Sequence, residues 1–499
     1  MNPRRLLFYL GIVLGVLGGF MATSVLWTLL DSPRPGSTKV WSLCVAVTLG
    51  CGLVAYLVGR RQEAGSRGDS VEVSLDGAHE LTRREALVIV CLSWVTCILF
   101  AALPLWLDGM VTSPIDALFE ATSGITTTGS TVLTDIESNS RAALWWRSMI
   151  QWLGGMGIIV LFIAILPQAG SGGRRLFESE APGPTKDQLR PRIRETGLTL
   201  WKIYAGMTLV LLVILLLEGM GGFDAACHAM TTIATAGFST RADSIGAFNS
   251  PLIEMTIALF MLLAGVNFGI YFALQSGRGL RVLRDRELAA YLVIFGVATT
   301  IVAFSLLGRS DGDVLEALRH AVFQVAATVS TTGYSSDDFN VYPNHCRALF
   351  LLLMFVGAMG GSTGGGFKIS RLLIIVSTAF QEVRHGLHPK AVFSTRLGSR
   401  LVDDRVVAAV TGVFVIAVAA LVLGTLALAA MGLDIETALA ASMTALFNGG
   451  PALNELGPAG NFSSVPDAGK LLLSGLMLLG RLEFYTVLAV LLPEFWRHR

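Results

Sequence analysis

Long apolar runs almost free of charged residues recur along the whole of the 499-residue chain. A helix that crosses the apolar core of a bilayer needs about 20 such residues. The runs do not alternate apolar and polar positions, which excludes membrane-spanning strands, so the backbone must satisfy its own hydrogen bonds as helix. We predict ten spans, at roughly 6–30, 41–59, 85–107, 143–167, 198–218, 251–275, 288–308, 346–376, 404–431 and 468–492.

The composition agrees with a chain whose main solvent is lipid. Hydrophobic residues make up 53% and charged residues 15% of the chain, against about 25% charged in soluble domains. These values exclude a cytosolic enzyme, a secreted disulfide scaffold and a disordered chain. The six cysteines lie mostly in apolar runs without paired spacing, so we interpret them as buried thiols. The net charge of +1 gives no reason to expect a nucleic-acid partner.

The basic residues predict the orientation of the spans. With the N-terminus inside, the predicted inner segments contain 27 of the 37 Lys and Arg residues, and such residues concentrate on the cytoplasmic side. Both termini are therefore predicted to be cytoplasmic. Acidic residues of the outer segments either concentrate cations at an opening or are ordinary solvated loop charges. Examples are Asp116, Glu120, Asp135, Glu137, Asp224, Asp311, Asp313 and Asp434.

Four semi-polar segments, each between two spans on the predicted outer side, share one pattern. Each has alanine at its second position and glycine thirteen residues after its first, counted from Asp116, Asp224, His320 and Thr437. The pattern predicts four copies of one unit: a helix, a short re-entrant helix, a Thr-x-Gly turn and a second helix. We divide the chain into an extra helix pair with its linker and four pore repeats, at 1–80, 81–185, 186–285, 286–395 and 396–499.

The repeated turns predict a cation filter. Extended backbone cannot face lipid but can line a water-filled path inside protein, and carbonyl oxygens there can replace the hydration shell of K+. Glycine permits the backbone conformations required, and the re-entrant helices point their negative ends at the path. For a single copy, an ordinary turn is the alternative. The predicted filter residues are Thr127, Thr128, Gly129, Thr235, Ala236, Gly237, Thr331, Thr332, Gly333, Asn448, Gly449 and Gly450.

A glycine-rich run interrupts the predicted span at 346–376. Glycine is unfavourable inside helices, so we predict a helix break below the third turn. The run is not a phosphate-binding loop, because Phe367 separates Gly366 from Lys368. Close helix packing through small residues is the alternative. The run contains Gly357, Gly360, Gly361, Ser362, Thr363, Gly364, Gly365 and Gly366.

Arg481 lies inside the last predicted span, where a charge needs a partner or faces a cavity. Glu483 is two residues away and would face another side of the helix. We therefore expect Arg481 to meet filter carbonyls or the pore itself. Its charge would act as a barrier to cations, or its guanidinium would tie the filter in place.

Several stretches resemble the Trk/Ktr/HKT superfamily of potassium transporters, in particular its bacterial Trk-type membrane subunits. They are TSGITTTGST, RSMIQWLGGMGIIVLFIAILP at 147–167, TIATAGFST, GAMGGSTGGGFKISR at 357–371, and the stretch 457–496. The resemblance covers essentially the whole chain, and the extra N-terminal helix pair is similar to the Trk branch. The fourth repeat departs from the common pattern at Asn448-Gly449-Gly450, which lacks a hydroxyl. A rival register at Gly457 is conceivable, but the thirteen-residue spacing favours Gly450.

The resemblance implies an all-α membrane protein with four pseudo-symmetric helix–pore loop–helix repeats around one pore, and K+ as the ion carried. It implies no organic cofactor in this chain. It further implies a homodimer in the bacterial inner membrane, controlled by a cytosolic nucleotide-binding regulatory subunit of the RCK type. In the family, glycine at all four filter positions accompanies potassium permeation, the run 357–366 forms an intramembrane gate, and Arg481 lies beside the pore.

The predicted function is channel-like potassium uptake, and the alternative is secondary active symport of K+ with H+ or Na+. Secondary transporters usually have inverted repeats and ionisable residues at the midplane. Here all four units enter in one orientation, and no Asp/Glu/His chain suggests a proton relay. The seven scattered histidines give no enzyme site. The basic segments 174–202 and 368–405 would attract anionic lipid or dock the regulator.

Overall fold

The structure is a computed structural model that describes residues 3–31, 36–65, 82–165, 192–275, 285–310, 312–388, 396–397 and 400–497. Within these residues the chain is helical, apart from an antiparallel pair of two-residue strands, β1 (Arg396–Leu397) and β2 (Arg400–Leu401). Asp311 and large parts of the predicted inner segments, at 66–81, 166–191, 276–284 and 389–395, lie outside the described residues. The prediction of an all-α membrane protein is confirmed.

Long helices alternate with short ones along the described chain. In order they are α1 (Pro3–Leu30), α2 (Ser37–Gly65), α3 (Arg83–Leu107), α4 (Pro114–Ile125), α5 (Arg141–Ile165), α6 (Arg192–Leu217), α7 (Gly222–Ile233), α8 (Pro251–Ala264), α9 (Phe268–Gln275), α10 (Arg286–Leu306), α11 (Val314–Val329), α12 (Asn344–Val356), α13 (Ile369–Leu387), α14 (Asp404–Ala430), α15 (Ile435–Phe447), α16 (Asp467–Arg481), α17 (Phe484–Leu491) and α18 (Pro493–Trp496). Among the described residues, α1, α2, α3, α6, α10 and α14 are each long and apolar enough to cross a membrane. All six coincide with predicted spans.

Two predicted spans are wrong as continuous helices. The span at 251–275 is divided between α8 and α9, which are bent by 85°, and that at 468–492 between α16 and α17, bent by 114°. At the first break, the side-chain oxygen of Asn267 accepts a hydrogen bond from the N–H of Gly269 at 2.7 Å and so starts a new helix. At the second, Glu483 has φ 56°, outside the helical range.

The glycine-rich run breaks its helix, as predicted. α12 ends at Val356 and α13 begins at Ile369, and Gly357 has φ 67°. Two backbone hydrogen bonds pack this run against the break between α8 and α9. The N–H of Met359 donates to the carbonyl of Gly265 at 3.1 Å, and that of Phe268 to the carbonyl of Gly361 at 3.0 Å.

The four short helices α4, α7, α11 and α15 are packed in a cyclic pattern. Each contacts the long helix before it and the helix after it in its own unit. Each also contacts the helix that follows the turn of another unit: α4 contacts α16, α7 contacts α5, α11 contacts α8, and α15 contacts α12. The fourth unit is thereby packed against the first, and the C-terminal ends of the short helices converge.

The extra pair α1 and α2 is packed through glycines. A Cβ atom on Gly11 would lie 2.7 Å from the carbonyl oxygen of Gly52 and 2.8 Å from the Cα of Tyr56. These atoms belong to the backbone and cannot rotate away, so the two helices can approach this closely only through glycine.

We therefore expect Gly11→Ala to separate α1 from α2 and to lower the melting temperature of the purified protein. Overpacking of this kind costs about 1–3 kcal/mol. Gly15→Ala is the matched control, because its Cβ would meet no atom within 4 Å and the gain in helix propensity is the same. Equal melting temperatures for the two variants would contradict the packing described.

Candidate functional site

The four Thr-x-Gly turns have the same unusual backbone conformation. Their first residues are left-handed, with φ 57° at Thr127, 49° at Thr235, 58° at Thr331 and 54° at Asn448. Their glycines have φ 87° at Gly129, 77° at Gly237, 78° at Gly333 and 92° at Gly450. A β-branched residue at positive φ is an outlier, and such strain clusters at functional sites. Gly457 has φ −76°, so the fourth repeat has its turn glycine at Gly450.

Hydrogen bonds at the end of each short helix fix these turns. The N–H of the middle residue donates to the carbonyl five residues earlier: Thr128 to Ser123 at 2.8 Å, Ala236 to Thr231 at 3.0 Å, Thr332 to Ala327 at 2.9 Å and Gly449 to Thr444 at 2.9 Å. This bond, with a left-handed residue before the donor, is a Schellman cap, in which glycine is the usual left-handed residue. Here threonine or asparagine takes that position, which places a polar side chain at the helix end.

The turns close into a ring. A Cβ atom on Gly129 would strike the carbonyl oxygen of Ala236, and one on Gly237 that of Thr332. A Cβ on Gly333 would lie 2.8 Å from the carbonyl oxygen of Gly449, and one on Gly450 would lie 3.4 Å from that of Thr128. Each glycine thus lies against the middle carbonyl of the next turn, and the fourth against that of the first. A cavity beyond the ring is lined by Gly129, Gly237, Gly333 and Pro451.

A buried ion pair braces the first turn. Glu120 of α4 and Arg147 of α5 are 2.8 Å apart, and both are 1% exposed or less. The carboxylate also accepts from the hydroxyl of Thr131 at 2.9 Å. Arg147 donates to the carbonyl of Ser239 at 3.3 Å and covers the ring of Phe238 at 4.0 Å. Burial of an ion pair is costly unless further hydrogen bonds of this kind satisfy it. The pair joins the chain after the first turn to the chain after the second.

Gln151 braces the second turn from α5. Its side-chain amide donates to the carbonyl of Ala236 at 2.7 Å, and its oxygen accepts from the N–H of Phe238 at 3.0 Å. The sequence interpretation did not single out this residue, although it lies in the stretch 147–167 that carries the family resemblance.

Glu120 is not a solvated acid of the outer face, and that interpretation is wrong for it. The other described outer acids also have partners. Asp116 pairs with Lys470 and Asp224 with Arg241, Glu137 accepts from the N–H of Ala242 and Asp135 from that of Ser138, and Asp313 and Asp434 cap α11 and α15. Asp116 and Asp224 are thus paired with cations, whereas Asp135, Glu137, Asp313 and Asp434 accept from neutral backbone N–H groups.

The glycine-rich run contacts three of the four units directly. The N–H of Gly365 donates to the hydroxyl of Thr331 at 2.5 Å, the hydroxyl of Thr363 lies 3.2 Å from that of Thr235, and the N–H of Gly366 donates to the carbonyl of Phe447 at 2.9 Å. The run is thereby held against the first residues of the second and third turns and against Phe447, the last residue of α15.

Glu287 holds the other side of the run and was missed in the sequence. Its carboxylate, 8% exposed, accepts from the N–H of Gly360 at 2.7 Å and from that of Ser370 at 3.1 Å. The residue lies in the first turn of α10, where an acidic side chain usually stabilises the positive N-terminal end of its own helix. No local signal distinguishes that ordinary role from the long-range contact observed.

Arg481 meets backbone carbonyls, but not those of the turns, so the expectation of filter carbonyls is wrong. Its guanidinium is buried and donates to the carbonyl of Thr363 at 3.0 Å and to that of Gly154 in α5 at 2.9 Å. Arg481 is the last residue of α16, and its side chain extends from there to the glycine-rich run. Glu483 pairs instead with Arg371 of α13.

No cluster of three or more His, Cys, Asp or Glu suited to a resident metal occurs in the described part of the chain. The six cysteines, all described, are free. Cys51 is exposed, and Cys91 and Cys97 are partly buried, so the interpretation of buried thiols holds for Cys44, Cys227 and Cys346 only.

Comparison with known proteins gives consistent results. A sequence profile of the family described as "TrkH: Cation transport protein" matches residues 72–495. The Trk system potassium uptake proteins TrkH of Halomonas elongata and Escherichia coli K12 are 38% and 37% identical to this chain. Each alignment covers 100% of this chain and 100% of the relative. The crystal structure of the potassium transporter TrkH from Vibrio parahaemolyticus superposes with a TM-score of 0.86 at 33% identity, again over 100% of each chain.

These proteins are transporters, so the prediction that the chain is not an enzyme is confirmed, as is the resemblance drawn from its sequence. The match extends over the four turns, the glycine-rich run and Arg481. The chain belongs to the TrkH family of cation transport proteins.

Proposed function

We propose that this chain is the membrane subunit of a Trk-type system that takes up potassium through one pore, whose filter is the ring of four turns. The names of the relatives support potassium as the ion. The observation that carries the proposal is the ring itself, in which four equivalent glycines meet the carbonyls of their neighbours. Dehydrated K+ needs closely spaced oxygen ligands that replace its water, and turns without side chains at their contacts can supply them.

The surrounding architecture in this proposal has ten spans. The six long helices and the two bent pairs give eight, α5 gives the ninth, and α12 with α13 gives the tenth, interrupted by the glycine-rich run. The four repeats follow the predicted division at 81–185, 186–285, 286–395 and 396–499. Their cyclic packing supports this assignment, and the inner concentration of basic residues supports cytoplasmic termini in the inner membrane.

The glycine-rich run is proposed as the gate. Its hydrogen bonds to Thr331 and Thr235, the first residues of two turns, support a position in which it would obstruct an ion leaving the ring. Arg481 is proposed as a clamp that ties the run to α5. Its two hydrogen bonds to carbonyls favour this tie over a free charge that repels cations.

Transport is proposed to be passive and channel-like. A coupled symporter needs an acid or histidine that gains and loses a proton or binds Na+ at the midplane. The buried acids next to the ring and the run are engaged otherwise: Glu120 with Arg147, and Glu287 with two backbone N–H groups. We therefore expect the reversal potential of currents through the purified protein, recorded under a K+ gradient, to stay unchanged when a pH or Na+ gradient is added.

The partners follow from the family. We propose a homodimer controlled by a cytosolic nucleotide-binding subunit of the RCK type, as the family resemblance implies. The naming of the relatives as parts of a Trk system supports a system of more than one component. The run leads straight into α13, whose C-terminal half presents Phe380, Val383 and Leu387 with exposures of 64–71%. A subunit that contacts this helix would be coupled to the gate.

Replacement of a ring glycine should impair selectivity. Gly129→Ser or Gly333→Ser introduces a Cβ against a carbonyl of the next turn, so we expect K+ over Na+ discrimination to fall about tenfold, equivalent to about 1.4 kcal/mol. Rubidium uptake in proteoliposomes with Na+ as competitor measures this. Gly432→Ser is the control, because Gly432 has φ 102° but no neighbour within 4 Å of its Cβ. Unchanged selectivity after single serine replacement of each of Gly129, Gly237, Gly333 and Gly450 would refute the filter assignment.

Shortening the glycine-rich run should open the pore. Deletion of residues 361–364 removes Thr363 and Gly364, and we expect ion flux without a regulator to rise severalfold. Flux is measured in proteoliposomes, and the melting temperature of the same preparation shows whether the variant is folded. A folded deletion variant with unchanged or lower flux would favour the alternative that these glycines serve helix packing only.

Two substitutions at Arg481 separate a clamp from a charge barrier. Arg481→Ala should raise K+ flux under either role. Arg481→Lys keeps the charge but cannot span both carbonyls with a planar fork, so the clamp predicts that it resembles Arg481→Ala. A Lys variant with wild-type flux would establish the barrier instead, and wild-type flux, selectivity and melting temperature in both variants would exclude both roles.

A further inference from the structure

One peptide group links a charged side chain to the ring. The ammonium group of Lys368 donates a hydrogen bond to the carbonyl oxygen of Gly364. The N–H of Gly365 belongs to the same peptide group, and it donates to the hydroxyl oxygen of Thr331 at 2.5 Å. The Thr331 hydroxyl sends its own proton to the carbonyl of Ser330 at 2.7 Å. An unbroken chain of hydrogen bonds therefore runs from Lys368 to the first residue of the third turn.

In its protonated form Lys368 strengthens this chain. A cation on the carbonyl oxygen polarises the amide and makes its N–H a better donor, since hydrogen bonds in series reinforce one another. Bonds that involve an ionised group are also about twice as strong as neutral ones. Lys368 itself has φ 81°, a strained conformation for a residue with a Cβ, and this backbone holds its side chain over the run that precedes it.

The equivalent positions in the other turns are engaged differently. Thr235 meets the hydroxyl of Thr363 at 3.2 Å, and Asn448 donates to the hydroxyl of Thr128 at 2.9 Å. The hydroxyl oxygen of Thr127 is buried and has no hydrogen-bond partner among the described residues. Of these four side chains, Thr331 is the one that accepts an N–H from the glycine-rich run.

We infer that the glycine-rich run and the transported cation compete for the hydroxyl oxygen of Thr331. Lys368 is a positioning residue in this competition and acts through the Gly364–Gly365 peptide. This rests on the proposed filter and gate. An oxygen that accepts an N–H faces the positive end of that dipole, so a cation at the same oxygen is repelled. When the run leaves, the oxygen is free to bind the ion, and a bound ion in turn opposes the return of the run.

The test is a double-mutant cycle on open probability, measured by single-channel recording of the full-length protein in bilayers. Lys368→Met should weaken the hydrogen bond between the run and the Thr331 hydroxyl. The open probability should then rise about tenfold, which is the scale of one hydrogen bond to a charged group. In a Thr331→Val background, which lacks the acceptor, the same change should have little further effect. Thr331→Ser restores a hydroxyl, so there Lys368→Met should again have its full effect.

Thr127→Val is the matched control, because it removes a threonine hydroxyl at the same position of the first turn without touching the run. Lys368→Met should keep its full effect in that background. Equal effects of Lys368→Met in the Thr331→Val and Thr127→Val backgrounds would overturn the inference. Lys368→Gln, which also removes the charge, replaces Lys368→Met in the cycle if the Met variant does not fold.

A second measurement tests the competition on the unmodified protein. Hydrogen–deuterium exchange over residues 357–368 should be faster in K+ than in choline at equal ionic strength, because the ion takes the oxygen from the run. Equal or slower exchange in K+ would refute the competition. If deletion of 361–364 raises flux but the cycle is additive, the gate stands and this inference fails; if the deletion leaves flux unchanged, the gate itself fails.

Discussion

The close approach of four backbone turns constrains the rest of the molecule. Each glycine of the ring lies against the middle carbonyl of the next turn, and a Cβ there would meet backbone atoms that cannot rotate away. The thirteen-residue interval from Asp116 to Gly129 and its three equivalents sets where each turn glycine falls relative to an equivalent position on its short helix. A shift of one residue in any repeat would place a side chain in the contact, so the interval is a requirement of the ring.

The ring also needs support, because its backbone is strained. Each left-handed threonine costs on the order of 1–3 kcal/mol, and glycine at that position would relieve it. Threonine provides what glycine cannot, a hydroxyl at the end of the short helix, and at Thr331 and Thr235 that hydroxyl meets the glycine-rich run. Two kinds of contact stabilise the strained backbone. Schellman caps act within each turn, and Gln151 and the Glu120–Arg147 pair act from neighbouring helices.

Features set by local sequence could be predicted, and features set by distant contacts could not. Apolar length and the glycines of 357–366 are local signals, so the long helices and the break after Val356 agree with the sequence. Asn267 and, close to Arg481, Glu483 are polar residues within otherwise apolar stretches, a weak signal for a break. The helices bend there as they pack against the run and as Glu483 pairs with Arg371. Glu120 could be read as an outer acid because its partner Arg147 is 27 residues away.

The four repeats share a backbone but not their side-chain contacts, and this inequality has a consequence. The hydrogen bonds of the run reach the second, third and fourth units through Thr235, Thr331 and Phe447. The first unit is reached through Arg481, which joins Thr363 to Gly154 of α5. The first turn is meanwhile fixed on its other side by the buried ion pair. If the run is the gate, as proposed, its departure would free the third and fourth turns. The first and second turns would stay braced by the ion pair and Gln151, and the hydrogen bonds of Arg481 would have to break for the run to leave.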